Sequence, residues 1–452
     1  MKFWRLAWRN LGRTRRRNLA TASAIAVGCA GLVILGWWVT RVEAFLRSGS
    51  VYLDHRGHVL VYKEGGLERA AGRPARYSLS REDQTAILGV IRGDARVDFT
   101  ARYLRGMGLA GNGCRTTPFI GLGVEPAVET RVVGHPSVVE NNADFARPVK
   151  GSFVSERGDV PGAVAVSAGL ARLLGKRRVH DEVEASGAAT AVPDCASEEA
   201  PALIAADANV QLAGMTFDGG LSAIDGEIVG IFHAATSQAE DMTLVTSLAS
   251  LQELYATDAV TYVAVYLKDW RQASTVAAEL QGRLRASGLA VSVYPFTDEK
   301  VNPFYAGTMA FLGSLVTFIT LLVTSVVVLG VMNAVTLTVF ERTREIGTFR
   351  ALGYTRRQVA GIFLREIVLL SCASVAAGVA GALVVSAVVN AANIRFSPPG
   401  IPGTVQVLLL PSWPVVLAVA SLLGPLAVLV TYAVARRRAA LRTADLLTAT
   451  TA

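Results

Sequence analysis

Forty consecutive residues, from Val301 to Phe340, contain no charged side chain, and none occurs from Ile367 to Ile394. A helix needs roughly 20 apolar residues to cross a hydrocarbon core of about 30 Å. Four stretches provide them: 18–40, 304–340, a run inside 358–392, and 413–435. The first reads "NLATASAIAVGCAGLVILGWWVT" and the last "WPVVLAVASLLGPLAVLVTYAVA". The expected architecture is therefore a membrane protein of four transmembrane helices arranged 1+3. Residues 43–303 form a large insertion between spans one and two. Composition agrees: 52% of the residues are hydrophobic and 18% charged, where soluble domains carry about 25%.

Charge next to the spans sets the expected orientation, because Lys and Arg accumulate on the cytoplasmic side. Lys2, Arg5, Arg9, Arg13, Arg15, Arg16 and Arg17 precede the first span. Arg342, Arg344, Arg350, Arg356, Arg357 and Arg365 follow the second, and Arg436, Arg437, Arg438 and Arg442 follow the fourth. Between spans three and four (393–412) there is only Arg395. Both termini, including the tail 436–452, are expected in the cytoplasm, and 43–303 on the far side. That region holds 25 basic and 32 acidic residues, leaving 19 and 4 of the chain's 44 and 36 for the remainder. The net charge of +8 thus reflects topology, and a nucleic-acid partner is not expected. Phe3, Trp4, Ala7, Trp8 and Leu11 share one helical face, which suits an interfacial helix over 1–17 leading into a retained first span.

About 260 residues between spans one and two are enough for one large domain or two small ones. "HVLVYKEG" (58–65) and "VTYVAVYLKD" (260–269) read as strands, the latter by alternation. "SLSREDQTAILGVIRG" and "WRQASTVAAELQGRLRASG" read as helices. "PFIGLGVEP" (118–126) reads as a strand entering a turn, and "AVAVSAGLARLLG" (163–175) as a strand running into a helix. An α/β or α+β domain is expected. The small and acidic residues of 181–208 lack periodicity and suggest a mobile excursion.

Catalytic chemistry finds no support. "GLARLLGKRR" (169–178) differs from a phosphate-binding loop: five residues separate its glycines, and Arg177 stands where a magnesium-ligating Ser or Thr is needed. "HRGH" (55–58) lacks a metalloprotease pattern, so no metal site and no enzyme activity are expected of this chain. Cys29 and Cys372 fall within spans as small apolar residues. Cys114 and Cys195 lie in the insertion, where a disulfide between them can form and persist. No charged residue lies inside a span run, which disfavours ion-coupled transport and points to an energy source in a partner.

The segment "ERTREIGTFRALGYTRR" (341–357) interrupts this apolar background. Glu341 with Arg344, and Arg342 with Glu345, are opposite charges at i,i+3 spacing, each helping a helix by about 0.2–0.5 kcal/mol. Ile346, Phe349 and Gly353 share a face. Gly353 suits a left-handed stop, and Thr355 with Gln358 has the spacing of a capping box opening the next helix. A positive-inside hairpin needs only Lys and Arg, whereas this organisation suits a docking surface.

Here the chain resembles a known family. "FERTREIGTFRALGYTRRQVAGIFLREIVLLS" (340–371) resembles the signature of ABC-transporter permeases of the FtsX/MacB/LolCE type, the lipoprotein-release permeases among them. "WRLAWRNLGRTRRRNLAT" (4–21) is similar to their lead-in to span one. "FIGLGVEP", "AVAVSAGLARLLG" and "DGEIVGIF" (225–232) are similar to their MacB-like extracytoplasmic domain. The 181–208 excursion departs from that pattern.

The resemblance implies a bacterial inner-membrane permease that works with a separate ABC ATPase and a second permease, as homodimer or heterodimer. ATP and magnesium would be bound by that ATPase, and no cofactor by this chain. Carried onto this sequence, the coupling helix comprises Glu341, Arg344, Glu345, Gly347, Arg350, Leu352 and Gly353. Movement there could reach the far side by mechanotransmission along a continuous span two. The implied substrate is a lipoprotein, lipid or other hydrophobic molecule. Trp37, Trp38 and Phe45 of span one, with Phe304, Tyr305 and Phe311 of span two, are candidates to flank its entrance, or else form an aromatic belt. Alternatives are peptide or drug efflux through a periplasmic adaptor, and signalling to a cell-wall hydrolase without transport.

Overall fold

The computed structural model of the chain describes residues 15–145, 147–186, 194–234, 236–341, 347–348 and 351–439. Most of the expected interfacial helix over 1–17 lies outside them. The described chain divides into two compact units. One comprises the described parts of Met1–Val42, Met309–Ile394 and Gln406–Ala452; the other is Glu43–Thr308 with Arg395–Val405.

In the membrane unit, four helices are long and apolar enough to span, among the described residues. They are Arg15–Ser48, Pro303–Glu341, Arg356–Ala391 and Trp413–Ala439. The first helix continues past its apolar run because Arg47 pairs with Glu43 one turn back, at 2.8 Å. Lipid tails are as apolar as Leu, so such helices associate by close packing and hydrogen bonding. Ile25, Cys29 and Val33 meet Val327 and Val331 of the second span, Ile367 and Ala382 of the third, and Leu423 of the fourth. At Gly378 a Cβ would lie 2.6 Å from the Ala26 carbonyl oxygen and 2.8 Å from the Cys29 Cβ. Only glycine allows that approach. The link from span three to span four is fastened by Asn390, whose amide donates to the Leu409 carbonyl (3.0 Å) and accepts from the Leu409 amide (2.9 Å).

Among its described residues the inserted domain has ten strands. They are β1 (Val59–Lys63), β2 (Val97–Gly111), β3 (Thr116–Val124), β4 (Lys150–Gly151), β5 (Ala163–Ser167), β6 (Asn209–Met215), β7 (Leu221–Phe232), β8 (Thr243–Ser247), β9 (Tyr262–Leu267) and β10 (Val291–Pro295). The sheet order is β10-β1-β9-β2-β3-β8-β5-β7-β4, with β6 joining β2 to β7. Two layers follow from this order. β10, β1, β9 and β2 are antiparallel, with helix Arg81–Ile91 between β1 and β2 and helix Ala273–Ala286 between β9 and β10. This is the ferredoxin-like split βαβ arrangement. The second layer is inserted between its two middle strands. There β2, β3, β8, β5, β7 and β6 pair in that order and return to β2, closing a six-stranded ring in which each strand has two neighbours of the ring.

Helix Arg81–Ile91 starts on a capping box, Ser80 with Asp83 (3.1 and 3.0 Å). β9 departs from the alternation expected of a half-exposed strand: every residue from Tyr262 to Leu267 is buried. It lies between β1 and β2, and helix Ala273–Ala286 with a Tyr/His/Phe cluster covers its layer. The 181–208 excursion is more ordered than its composition suggests. Helices His180–Ser186 and Ala200–Ala206 flank the undescribed residues 187–193. Val179, Ile204 and Ala208 are buried anchors, and Lys176 Nζ, itself buried, pairs with Asp207 at 3.0 Å. Cys114, in the β2–β3 turn, is disulfide-bonded to Cys195, with Cα atoms 5.4 Å apart. The segment between spans three and four (393–412), expected as an external loop, contains a short strand pair. Arg395–Phe396 pairs with Val405–Gln406, and Arg395 reaches Asp144 at 2.6 Å.

Candidate functional site

Two places collect the residues singled out above. The first joins spans two and three. Helix Pro303–Glu341 is described as far as Glu341, and Gly347 and Thr348 are helical. Arg344, Glu345 and Arg350 lie outside the described residues. The Leu352 amide donates to the Thr348 carbonyl (3.0 Å), and Leu352 itself is 71% exposed. Gly353 then adopts φ +90°, a conformation costly for a side chain with a Cβ. Two residues later both halves of the capping box form. The Gln358 amide donates to Thr355 Oγ1 (3.3 Å), and the Thr355 amide donates to Gln358 Oε1 (2.9 Å). Tyr354 and Val359 pack into the membrane core. The result is a sharp, locally determined corner with an exposed leucine on its outer side.

The second place lies in the inserted domain. Of the six aromatic candidates, the structure brings three together: Phe45, Phe304 and Tyr305 line a cavity of about 70 Å³. Tyr305 donates to Glu43 Oε1 (3.2 Å), and Phe45 meets Phe145 edge-on at 6.0 Å. Trp37 is 1% exposed, its indole N–H donating to the Ser412 carbonyl (3.1 Å), so it packs in the membrane core instead. Trp38 is half-buried, and Phe311 is 66% exposed on the second span. Neither lines that cavity.

A larger cavity, about 250 Å³, adjoins the small one; Leu53, Asp54, Arg56, Phe145 and Thr236 line both. Its floor is one face of the sheet, because cross-strand partners point the same way. Arg105 opposes Leu122, and Ile120 and Leu122 stand beside Thr243 and Val245. Val245 in turn opposes Ala165. Glu129 and Val133 from helix Pro126–Val133 line it as well, as do Phe153 and Phe232. On the opposite face Gly106, Gly121 and Gly123 admit Tyr255 and helix Leu248–Leu254; a Cβ at Gly106 would sit 2.2 Å from the Tyr255 ring. His55 is held at φ +59°, with Nε2 2.8 and 3.0 Å from the two oxygens of buried Glu129.

Nearby, His58 is buried with Nδ1 accepting from the Leu267 amide (2.9 Å). Burial first, then the charges of Arg47 and His135, pushes its pKa down to about 3. Burial also lowers that of His135. Sequence reasoning passed over Asn142, Phe145 and Arg105, which no local motif marks. It also passed over His180, Asp181 and Glu184, whose ligand atoms lie within 4.8 Å. There, Arg157 pairs with Asp181, and Glu227 lies 2.6 Å from His180 Nδ1.

Comparison with known proteins bears on this architecture. Residues 317–442, which contain most of the last three spans, match the family model of the FtsX-like permease C-terminal domain. The chain is 31% identical over 148 residues to the pyoverdine export ATP-binding/permease protein PvdT of Pseudomonas putida, covering 31% of this chain and 22% of that protein. Against PvdT of Pseudomonas entomophila it is 30% identical over 189 residues, covering 39% and 28%. The chain thus spans less than a third of the length of the curated relatives it matches. Among solved structures it is similar to the extracellular domain of the noncanonic ABC-type transporter YknZ from Gram-positive bacteria. That match has TM-score 0.30 and 13% identity, over 52% of this chain and 98% of that one. It is also similar to the periplasmic region of MacB from Actinobacillus actinomycetemcomitans, with TM-score 0.30 and 9% identity, over 53% and 90%.

Four helices long and apolar enough to span, among the described residues, and the permease-model match over 317–442 support a multi-pass membrane protein whose last three spans are permease-like. Over residues 317–442 the chain is similar to FtsX-like permeases, and over 148 residues to PvdT.

Proposed function

We propose that this permease converts ATP hydrolysis by a separate ABC ATPase into movement of its inserted domain. That movement extracts or exports a lipoprotein, lipid or other hydrophobic substrate. The second spanning helix carries this reading. It runs from Pro303 to Glu341 for 39 residues, about 58 Å at 1.5 Å per residue, against a hydrocarbon core of about 30 Å. Its first six residues, 303–308, group with the inserted domain, and its last residue opens the charged segment 341–357. A continuous helix carries an axial push or tilt from one end to the other, so the substrate need not cross the bilayer. Arginine clusters before span one, after span two and after span four support a cytoplasmic position for the charged segment and both termini. A second permease copy or paralogue and two ATPases complete the assembly in a bacterial inner membrane.

The test is co-expression with the cognate ATPase and substitution of Glu345 or Arg350 by Ala. Membrane insertion should persist while ATPase co-purification, or ATP-driven substrate release, is lost. Normal ATPase binding and normal release in both variants would overturn the reading. The PvdT relatives, named for pyoverdine export, favour export as a second reading: peptide or drug efflux, with a periplasmic adaptor as the proposed partner. Co-purification of a periplasmic adaptor rather than a lipoprotein would select it.

A further inference from the structure

The inserted domain holds the two adjoining chambers described above, of about 250 and 70 Å³. A dry apolar cavity of about 150 Å³ is enough to take up benzene. The chamber of about 250 Å³ exceeds that. If a methylene occupies about the 30 Å³ share of a water molecule, the space corresponds to a chain of about eight carbons. The small chamber beyond Leu53 and Phe145 has room for one or two more.

The walls say what kind of chain. Ile120, Leu122, Val245, Ala165 and Phe232 form a continuous apolar surface across neighbouring strands. The charged groups in the lining are mostly matched: His55 holds both oxygens of Glu129, and Arg56 pairs with Asp54 at 3.4 Å. Arg105 differs. Its guanidinium donates to the Asp54 carbonyl (3.3 Å) and lies 5.6 Å from the Tyr262 ring centroid, with no carboxylate within ion-pair distance among the described residues. His55, two residues past the π-helical turn Gly49–Leu53 that follows the first helix, carries a left-handed backbone (φ +59°) uncommon for a non-glycine residue, of the kind that gathers at ligand sites.

We infer that this double chamber binds a single-chain fatty carboxylate of about ten carbons, its head on Arg105 and its tail over Ile120, Leu122 and Val245. The ligand occupies a site in the inserted domain at equilibrium. Its binding requires neither the ATPase nor transport, so its failure and that of the coupling reading are separable.

The experiment uses the full-length chain in nanodiscs without nucleotide, with radiolabelled decanoate in equilibrium dialysis and empty nanodiscs subtracted. One saturable site per chain is expected. Arg105→Gln should weaken decanoate roughly tenfold, while decanol, with the same tail and no charge, binds wild type and variant alike. Ile120→Trp places an indole in the chamber from a position already 40% exposed, where the fold tolerates it, and should abolish binding of both. Thermal unfolding of each variant checks folding. No saturable decanoate binding above empty nanodiscs overturns the site. Equal decanoate affinity in wild type and Arg105→Gln overturns the head-group assignment and with it the ligand class.

Discussion

Acid should loosen the inserted domain, and His58 provides a way to measure how much. Its imidazole is 3% exposed and fixed by the Leu267 amide, and its pKa falls from an ordinary 6.5 to about 3. Between those values the unfolded chain binds more protons than the folded one, so stability rises with pH across that window and is lost as pH falls. At about pH 7.5 the ring is neutral in both states; at about pH 5.0 only the unfolded ring is mostly protonated, by some 1.5 log units. At about 1.4 kcal/mol per log unit, folding loses about 2 kcal/mol. For a domain of this size the loss corresponds to a Tm lower by about 4–8 °C. The assay is urea unfolding of the full chain in nanodiscs, followed by near-UV circular dichroism of the Tyr52/Tyr266 cluster, across that pH range. His58→Asn keeps an acceptor close to the Nδ1 position and removes the titration. It should be less stable than wild type at neutral pH, by about 1–3 kcal/mol for the lost ring volume, yet lose about 2 kcal/mol less on acidification. An unchanged pH slope in His58→Asn would refute the reasoning.

Three further outcomes are expected. Cys195→Ser opens a loop of 81 residues' separation, for which chain entropy sets an upper bound of about 4.5 kcal/mol. The variant's Tm should fall and cease to respond to reductant, while wild type under reductant falls to the variant's value. Thr355→Ala removes the side-chain half of the capping box and should cost about 1 kcal/mol. Hydrogen exchange should show faster opening confined to the first turns of helix Arg356–Ala391. Gly378→Val drives a branched side chain into the Ala26 carbonyl and Cys29; detergent thermal-shift assays should show a Tm loss of several degrees, with Gly378→Ala intermediate.

What could be read from the sequence was local. Charge-free runs mark spans because a charge in the hydrocarbon core is costly wherever it sits, and the Thr355/Gln358 and Ser80/Asp83 boxes depend on a spacing of three. Helix ends were less legible. Arg41 and Glu43 end the first apolar run without ending the helix, since a salt bridge along the helix replaces apolar burial. The six-stranded ring was not legible at all. β2 serves two layers, with Val97–Tyr103 beside β9 and Leu104–Gly111 beside β3, and nothing in its fifteen residues announces the change of partner. The same holds for the chambers, which are assembled from strands and connections far apart in sequence. Trp37 and Trp38, adjacent and alike in sequence, are separated by rotation about the helix: one is buried on Ser412 and the other half-exposed.

One consequence of the sheet order is mechanical. β1 and β10, the first and last strands of the inserted domain, are hydrogen-bonded neighbours with Val59 opposite Pro295, so the chain arrives and leaves at the same end of one ladder. A load that splays those two ends peels the ladder open a pair at a time instead of shearing all five pairs together. Peeling is the weaker mode, and the chain reinforces it just outside the ladder. Tyr305 holds Glu43, and the Asn302 amide holds Ser50 Oγ at 2.6 Å. These two clasps bear the opening force before Val59 and Pro295 do. The second layer, spliced in between β2 and β9, stands outside that load path.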